Sequence, residues 1–458
     1  MMTRRHALGG GMAVALGAVA GGDTVDAAHA QPALGGADLS HLRREPLVNA
    51  DRARHFMRAE GLDALVVAKP ANVFYLTNHW PQLDRMGFEG SAIAIFPRDP
   101  KRPVALVMHA FLYYYTHSPE SDFREREVFL YTQPVASPPG SPEAEPSAGA
   151  SLRLMPVVEE ELVSAREWHR RSMVSDLRPP SADASWALAS ALRALGLTDA
   201  TLGIDTATLA DDIRRRGIGA EIREAENTLR RVRLVKSSVE VALMRSAAEQ
   251  NAAAAMAAAR RVREFGSTRQ LRATFFAEAA MRGNIGHFMI IDGSSSEVLD
   301  EPIHDGMALS IDCVSTFRHY HGDFGRTIFV GEPNARMRGI CNAIALAWQD
   351  IQEALRPGLR FADIPQLGRE SLRKQGMSLN VGFTPHSVGL FHTDHPQPSL
   401  VGPRVPEALV LEENMILSVD CPVFEAGLGG TAHLEDLMLI TAEGAEPIHA
   451  VPEPVIVV

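Results

Sequence analysis

Two short stretches constrain this chain more than anything else in it. Leu309-Ser310-Ile311-Asp312-Cys313 is nearly repeated as Leu417-Ser418-Val419-Asp420-Cys421. Each reads as an apolar strand with one aspartate set into it, and an apolar strand ought to be buried where a bare carboxylate ought not. Each leads through a loop to another acid: Asp323, eleven residues after Asp312, and Glu435, fifteen after Asp420. Alternate residues of a strand face one side, so two strand–loop–strand hairpins would aim four carboxylates at one point. The echo predicts a duplicated β unit about a pseudo-twofold axis. Four crowded carboxylates cannot all stay ionised unless cations lie among them, and a pair of divalent cations resolves the repulsion. His386, in His386-Ser387-Val388-Gly389 between the hairpins, completes such a set. Asp, Glu and a single His suit manganese, cobalt, iron or zinc better than a closed structural zinc site does. Two metals roughly 3.5–4 Å apart can share a water and make it nucleophilic near neutral pH.

The bulk numbers leave room for this chemistry. At 458 residues the chain predicts two or three domains. Its 46% hydrophobic and 22% charged residues are those of a globular protein. A formal charge of −11 argues against a nucleic-acid or anionic-membrane partner. Cys313, Cys341 and Cys421 are too few for a disulfide framework. Cys313 and Cys421, each next to an aspartate of the echo, are expected as buried thiols facing away from it.

Thr3-Arg4-Arg5-His6-Ala7-Leu8, the Gly/Ala-rich run from Ala7 to Gly22 and Ala28-His29-Ala30 read as a twin-arginine export signal over 1–30 with an A-x-A cleavage site. That predicts a periplasmic or secreted protein with no membrane association once the signal is removed. Gln31 to His41 reads as a lead-in and Pro134 to Ala150 as a surface insertion. Between them, helices at 50–60 and 184–195 alternate with strands at 62–67, 91–96, 104–108 and 202–205, as in an α/β domain. Pro70-Ala71-Asn72 reads as a turn before the aromatic stretch Val73 to Leu76, and Tyr113-Tyr114-Tyr115 as an ordinary packed element. From Glu226 the texture changes to one long helical stretch, Asn227 to Met256, then a helix from Thr268 to Arg282 and β-rich segments. The boundary is therefore expected near 225, with domains at 45–225 and 226–458.

The order of motifs is similar to one known family. Asp323-Phe324-Gly325-Arg326-Thr327 resembles the D-x-T-R-T segment of the pita-bread metallohydrolases, which include methionine aminopeptidase, aminopeptidase P, prolidase and creatinase. His386-Ser387-Val388-Gly389-Leu390 resembles their H-x-x-G-L segment, and His433-Leu434-Glu435-Asp436 their R-I-E-D segment. Leu229 to Ala248 resembles the helix that opens their catalytic domain, and residues 45–110 the N-terminal domain of prolidase, aminopeptidase P and creatinase. The resemblance implies an α/β N-terminal domain followed by an α+β pita-bread catalytic domain with pseudo-twofold halves, and it admits a homodimer. It implies that Asp312 chelates one metal, that Asp323 and Glu435 bridge both, and that His386 and Asp420 hold the second. Asp436 would support Glu435, and Glu435, His392 or His395 would handle protons. The implied reaction is Xaa-Pro dipeptidase- or aminopeptidase-like cleavage of a small peptide or amide by metal-bound hydroxide.

The departures are specific. Asp420 stands where the peptidases carry Glu, which predicts a more weakly held second metal. Gly293-Ser294-Ser295-Ser296 is followed by no substrate-side histidine, His304 being a poor substitute. The position seven residues past His386 is Thr393, with His392 at six and His395 at nine. His319 and His321, flanking Asp323 without a motif match, read as loop or pocket-lining residues. Two other readings stay open: a non-peptidase of the same fold, either a creatinase-like amidinohydrolase or a dimethylsulfoniopropionate-lyase-like enzyme, and a metal-poor binding protein.

Overall fold

The computed structural model describes residues 45–88, 90–116, 126–132, 157–175, 177–294, 296, 298–397 and 408–458. The signal, the lead-in and the insertion at 134–150 lie outside the described residues, as do the side chains of Tyr114 and Tyr115.

The first domain runs α1 (Ala50–Glu60), β1 (Ala64–Val67), α2 (Pro70–Thr77), β2 (Ala92–Pro97), β3 (Val104–His109), α3 (Ala110–Thr116), β4 (Arg126–Tyr131), α4 (Ala165–Ser175), α5 (Ala184–Ala194), β5 (Thr201–Ile204), α6 (Ala207–Arg215) and β6 (Glu221–Glu224). Its six strands form one mixed sheet in the order β4-β3-β2-β1-β5-β6. Val73 to Leu76 is helix, contrary to the expected stretch after a turn: Pro70 opens α2 as a first-turn proline.

The second domain runs α7 (Glu226–Leu234), α8 (Ser238–Arg260), α9 (Thr268–Met281), β7 (Ile285–Ile291), β8 (Ala308–Phe317), β9 (Tyr320–Phe329), α10 (Ala335–Ala354), α11 (Ile364–Lys374), β10 (Thr384–Ser387), β11 (Ile416–Asp420), β12 (Glu435–Ile440), β13 (Ala445–Pro447) and β14 (Val455–Val457). The stretch read as one helix from Asn227 to Met256 is two. Lys236 N–H leaves the helical ladder to donate to Asn414 O at 2.9 Å, and Ser237 restarts the helix as N-cap of a reciprocal capping box with Glu240.

The main path of the second domain's sheet is β10-β11-β12-β9-β8-β7. Both echoed segments are strands, and each pairs with the strand that carries its second acid, β8 with β9 and β11 with β12, antiparallel. The alanine run of α8 lets that helix lie close on the back of β9. A side chain at Gly322 would meet Ala247 O at 2.5 Å, so helix and strand pack almost backbone to backbone. Cys313 and Phe324 point into the same back layer and are fully buried. Asp323 and Gly325, on the alternate positions, face the other side.

The hairpin joining β8 to β9 turns on Arg318 and His319, with φ of 45° and 73°. Non-glycine residues hold this left-handed conformation only where contacts fix them. The His319 ring lies 3.5 Å from that of Trp80 at 5° between planes, so an N-terminal-domain side chain braces the turn.

Candidate metal centre

Strand register explains how four acids distant in sequence meet. Asp312 on β8 lies opposite Gly325 on β9, and Gly325 lies opposite Glu435 on β12. The β11–β12 register places Ser418 opposite Leu437. Carried two residues further it sets Asp420 opposite Glu435, where Cys421 N–H donates to Leu434 O at 3.1 Å. One row therefore reads Asp420, Glu435, Gly325, Asp312, with a side-chain gap at the glycine. In the next row His386 lies opposite Ser418 and Asp323 opposite Val314.

All five residues singled out from the sequence converge. His386 Nε2 lies 3.3 Å from Asp420 Oδ2, 3.5 Å from Glu435 Oε1 and 3.6 Å from Asp323 Oδ2. His386 Nδ1 lies 3.1 Å from the carbonyl oxygen of His392. A carbonyl only accepts, so Nδ1 carries a proton and Nε2 turns towards three carboxylate oxygens with no hydrogen-bond partner. Asp312 Oδ1 and both Asp323 oxygens are likewise shut from solvent without a hydrogen bond. Orphaned buried acceptors around one imidazole nitrogen are what a cation resolves and what hydrogen bonding here does not. The donor set fits divalent metal. Ligand atoms group within 4.8 Å of one another in two clusters, Asp323-His386-His392 and Asp312-Asp420-His433-Glu435.

The electrostatics say the same. Burial pushes the Asp312 carboxyl well up, and the Glu435 and Asp323 charges add to it. Burial, then Glu435, pushes Asp323 to about 6. Burial works against ionised Glu435 too, but the facing imidazoles of His386 and His433 hold it well below the ordinary range. Ser418 Oγ donates to Glu435 Oε1 at 2.6 Å.

The two histidines past His386 separate. His392 Nε2 approaches Asp323 Oδ2 at 3.1 Å on the more open side of the cluster, with Phe288 edge-on to its ring. His395 is buried, its Nδ1 accepting from Ser387 N–H at 3.3 Å and its ring against Phe361. His321 stacks on His287 and meets Gly389 O through Nδ1, while His304 is exposed and meets Asp305 O. Sequence reasoning passed over His433, whose Nε2 is 3.1 Å from Glu435 Oε2; it had stood only as the first letter of a motif.

Asp436 supports Glu435 from the opposite face. Its Oδ1 pairs with the charge of Arg326 at 2.6 Å and lies 3.0 Å from His449 Nε2, and its Oδ2 accepts from the Trp348 indole N–H at 3.1 Å. Arg326 in turn donates to Glu435 O and Gly325 O, each at 2.8 Å, so the support passes through the backbone. A second network holds the loop after β10. Arg233 and Asp394, both fully buried, pair at 2.8 Å, and Arg233 also donates to Asn72 Oδ1. Asn72 Nδ2 bonds Asp205 and Glu226, each at 2.9 Å. The first domain thereby fixes the loop that carries His392.

Known proteins share this sequence pattern and this fold. Residues 242–442 match the family model for Metallopeptidase family M24, and residues 50–137 that for the Creatinase/Prolidase N-terminal domain. The Xaa-Pro dipeptidase of Pyrococcus furiosus is 26% identical over 260 residues, 54% of this chain and 72% of that protein. The probable dipeptidase PepE of Mycobacterium bovis is 29% identical over 247 residues, 51% and 63% of the two chains. A dipeptidase structure from Pyrococcus horikoshii superposes with a TM-score of 0.63 at 16% identity, covering 89% of this chain and 99% of that one. The prolidase of the same organism gives 0.59 at 19% identity, with the same coverage.

Proposed function

We propose that this chain, which belongs to the pita-bread metallohydrolases of family M24, cleaves a small peptide or amide as an Xaa-Pro dipeptidase or aminopeptidase does. The observation that carries the reading is His386 Nε2, without a hydrogen-bond partner, facing three carboxylate oxygens. Asp312, Asp323, His386, Asp420 and Glu435 would hold two divalent cations, manganese, cobalt, iron or zinc. Bound there, such cations polarise a carbonyl and lower the pKa of water towards neutrality.

The protein's own groups supply the rest. Glu435, kept ionised by Ser418 and its histidine neighbours, is the acceptor for a proton leaving water. His392, 35% exposed at the margin of the cluster, is placed to pass a proton to the departing amine. Its edge-on contact with Phe288 puts an apolar face beside that path, suited to a prolyl ring. The twin-arginine start supports action in the periplasm or outside the cell, which retention of an Arg4→Lys, Arg5→Lys variant in the cytoplasm would test.

The deciding assay offers the protein, loaded separately with each of the four metals, Xaa-Pro dipeptides, Xaa-Pro tripeptides, creatine and dimethylsulfoniopropionate. Prolyl-bond cleavage supports the reading. Turnover of creatine or the sulfonium compound alone assigns a non-peptidase of the fold. Absence of tight metal binding would leave a metal-poor binding protein.

A further inference from the structure

We infer that His433 is itself a metal ligand through Nε2, a donor beside Asp312, Asp420 and Glu435, and that Gly325 is the gap that admits it. The inference rests on the two-metal reading above and adds a residue to it.

His433 is two positions before Glu435 in sequence and on the same face of the sheet. Its backbone is fixed against β9 by one hydroxyl: the amide donates to Thr327 Oγ1 at 3.0 Å, and the carbonyl accepts from the same hydroxyl at 3.1 Å. The ring then lies over Gly325, so that a Cβ there would overlap its Cδ2 and Nε2. Any other residue at 325 closes the space, whereas glycine leaves a pocket for one imidazole between Glu435 and Asp312. The residue is 6% exposed, and Nε2 sits 3.1 Å from Glu435 Oε2 and 3.9 Å from Asp420 Oδ1.

A hydrogen bond from His433 to Glu435 explains one of these approaches and leaves Asp312 Oδ1 unsatisfied. A cation among the four groups satisfies them together. Asp420 fits the same picture: Oδ2 faces His386 and Oδ1 faces His433, one oxygen towards each imidazole. The short side chain is thus flanked by a nitrogen donor where the similar R-I-E-D segment has a cationic arginine. A second imidazole also moves the preference of the pair from manganese towards zinc or cobalt.

The test uses the full chain, stripped with chelator and titrated with Zn(II) and Co(II) by calorimetry. Wild type should bind two ions, and His433→Gln and Gly325→Ala should each weaken one of them by about 100-fold or more, beyond the loss of a supporting partner. The introduced glutamine keeps a hydrogen-bond donor near Glu435 but offers no imidazole. Two tight sites unchanged in that variant, with an unchanged Co(II) absorption spectrum, overturn the inference and leave the two-metal reading intact. No binding by wild type overturns both. Crystals of the Zn(II)-loaded wild type need no variant to fold: His433 Nε2 at about 2.0–2.1 Å from an anomalous peak supports the assignment, and a peak bound without it refutes the assignment.

Discussion

Replacing Asp394 by Asn tests how far the catalytic loop depends on a charge it carries inside the protein. Asp394 accepts three contacts from Arg233, at 2.8, 3.0 and 3.1 Å, and neither side chain is exposed. Asn keeps the shape and removes the charge. Arg233 is then left with Asn72 Oδ1, the Phe391 and Tyr75 rings 5.3 and 6.0 Å away, and Glu226 at 3.8 Å. Removing one partner of a buried pair costs about 3–5 kcal/mol, because the other charge loses its direct counter-ion in low dielectric. Burial alone would raise the Asp394 pKa, but Arg233 and then Lys236 bring it below 3.8. Its contribution to stability is therefore whole above pH 3.8 and disappears as pH falls through the lower folded value. Urea denaturation of the metal-free protein at pH 7, followed by two probes, should show a loss of about 3 kcal/mol or more in Asp394→Asn. The double variant Arg233→Met, Asp394→Asn should recover part of it, since the Arg233 charge is then no longer stranded. Activity should fall by up to about 100-fold, mainly in kcat, since a shift of order 1 Å in the loop misplaces His392. A loss below about 1 kcal/mol, within the range of exposed pairs, would refute the argument.

Other outcomes follow from the same geometry. Asp323→Ala and Glu435→Ala should abolish turnover, and Asp420→Ala should retain more of it at saturating metal, as rates across a metal titration will show. Asp420→Glu should equalise the two affinities in calorimetry if reach limits the shorter side chain. Metal uptake at pH 7 should release protons and weaken as pH falls, because carboxylate contacts outweigh burial to raise His386 well above its ordinary value and His433 to about 9; titrations in buffers of different ionisation enthalpy count those protons. Burial, then the charge of Arg85, lowers His319 to about 3. Its share of stability is whole above pH 6.5 and lost as pH falls towards 3. His319→Phe, which keeps an aromatic ring against Trp80, should flatten the decline in melting temperature between about pH 6.5 and 4.

The acids were legible because they break a rule that strands otherwise keep. Asp312 and Asp420 interrupt apolar alternation, and the spacing to Asp323 and Glu435 fits two hairpins. His433 broke no such rule: a histidine beside a glutamate in a polar tetrapeptide has many bland uses. Its meaning lies in Gly325, 108 residues earlier in the sequence, and in the β9–β12 pairing that places Glu435 opposite that glycine. Register between strands so far apart is set by tertiary packing, which local periodicity does not encode. The restart of α8 is the converse case. Ser237 with Glu240 is a capping box readable in the sequence, yet the apolar and alanine-rich pattern runs on through the break and masks it. The same contrast divides His392 from His395. Nothing in the spacing alone separates them, because what turns one to Asp323 and the other to Phe361 is the loop's anchorage on Arg233. The sheet thus sets which acids meet, and the buried pair beneath the loop sets which histidine joins them.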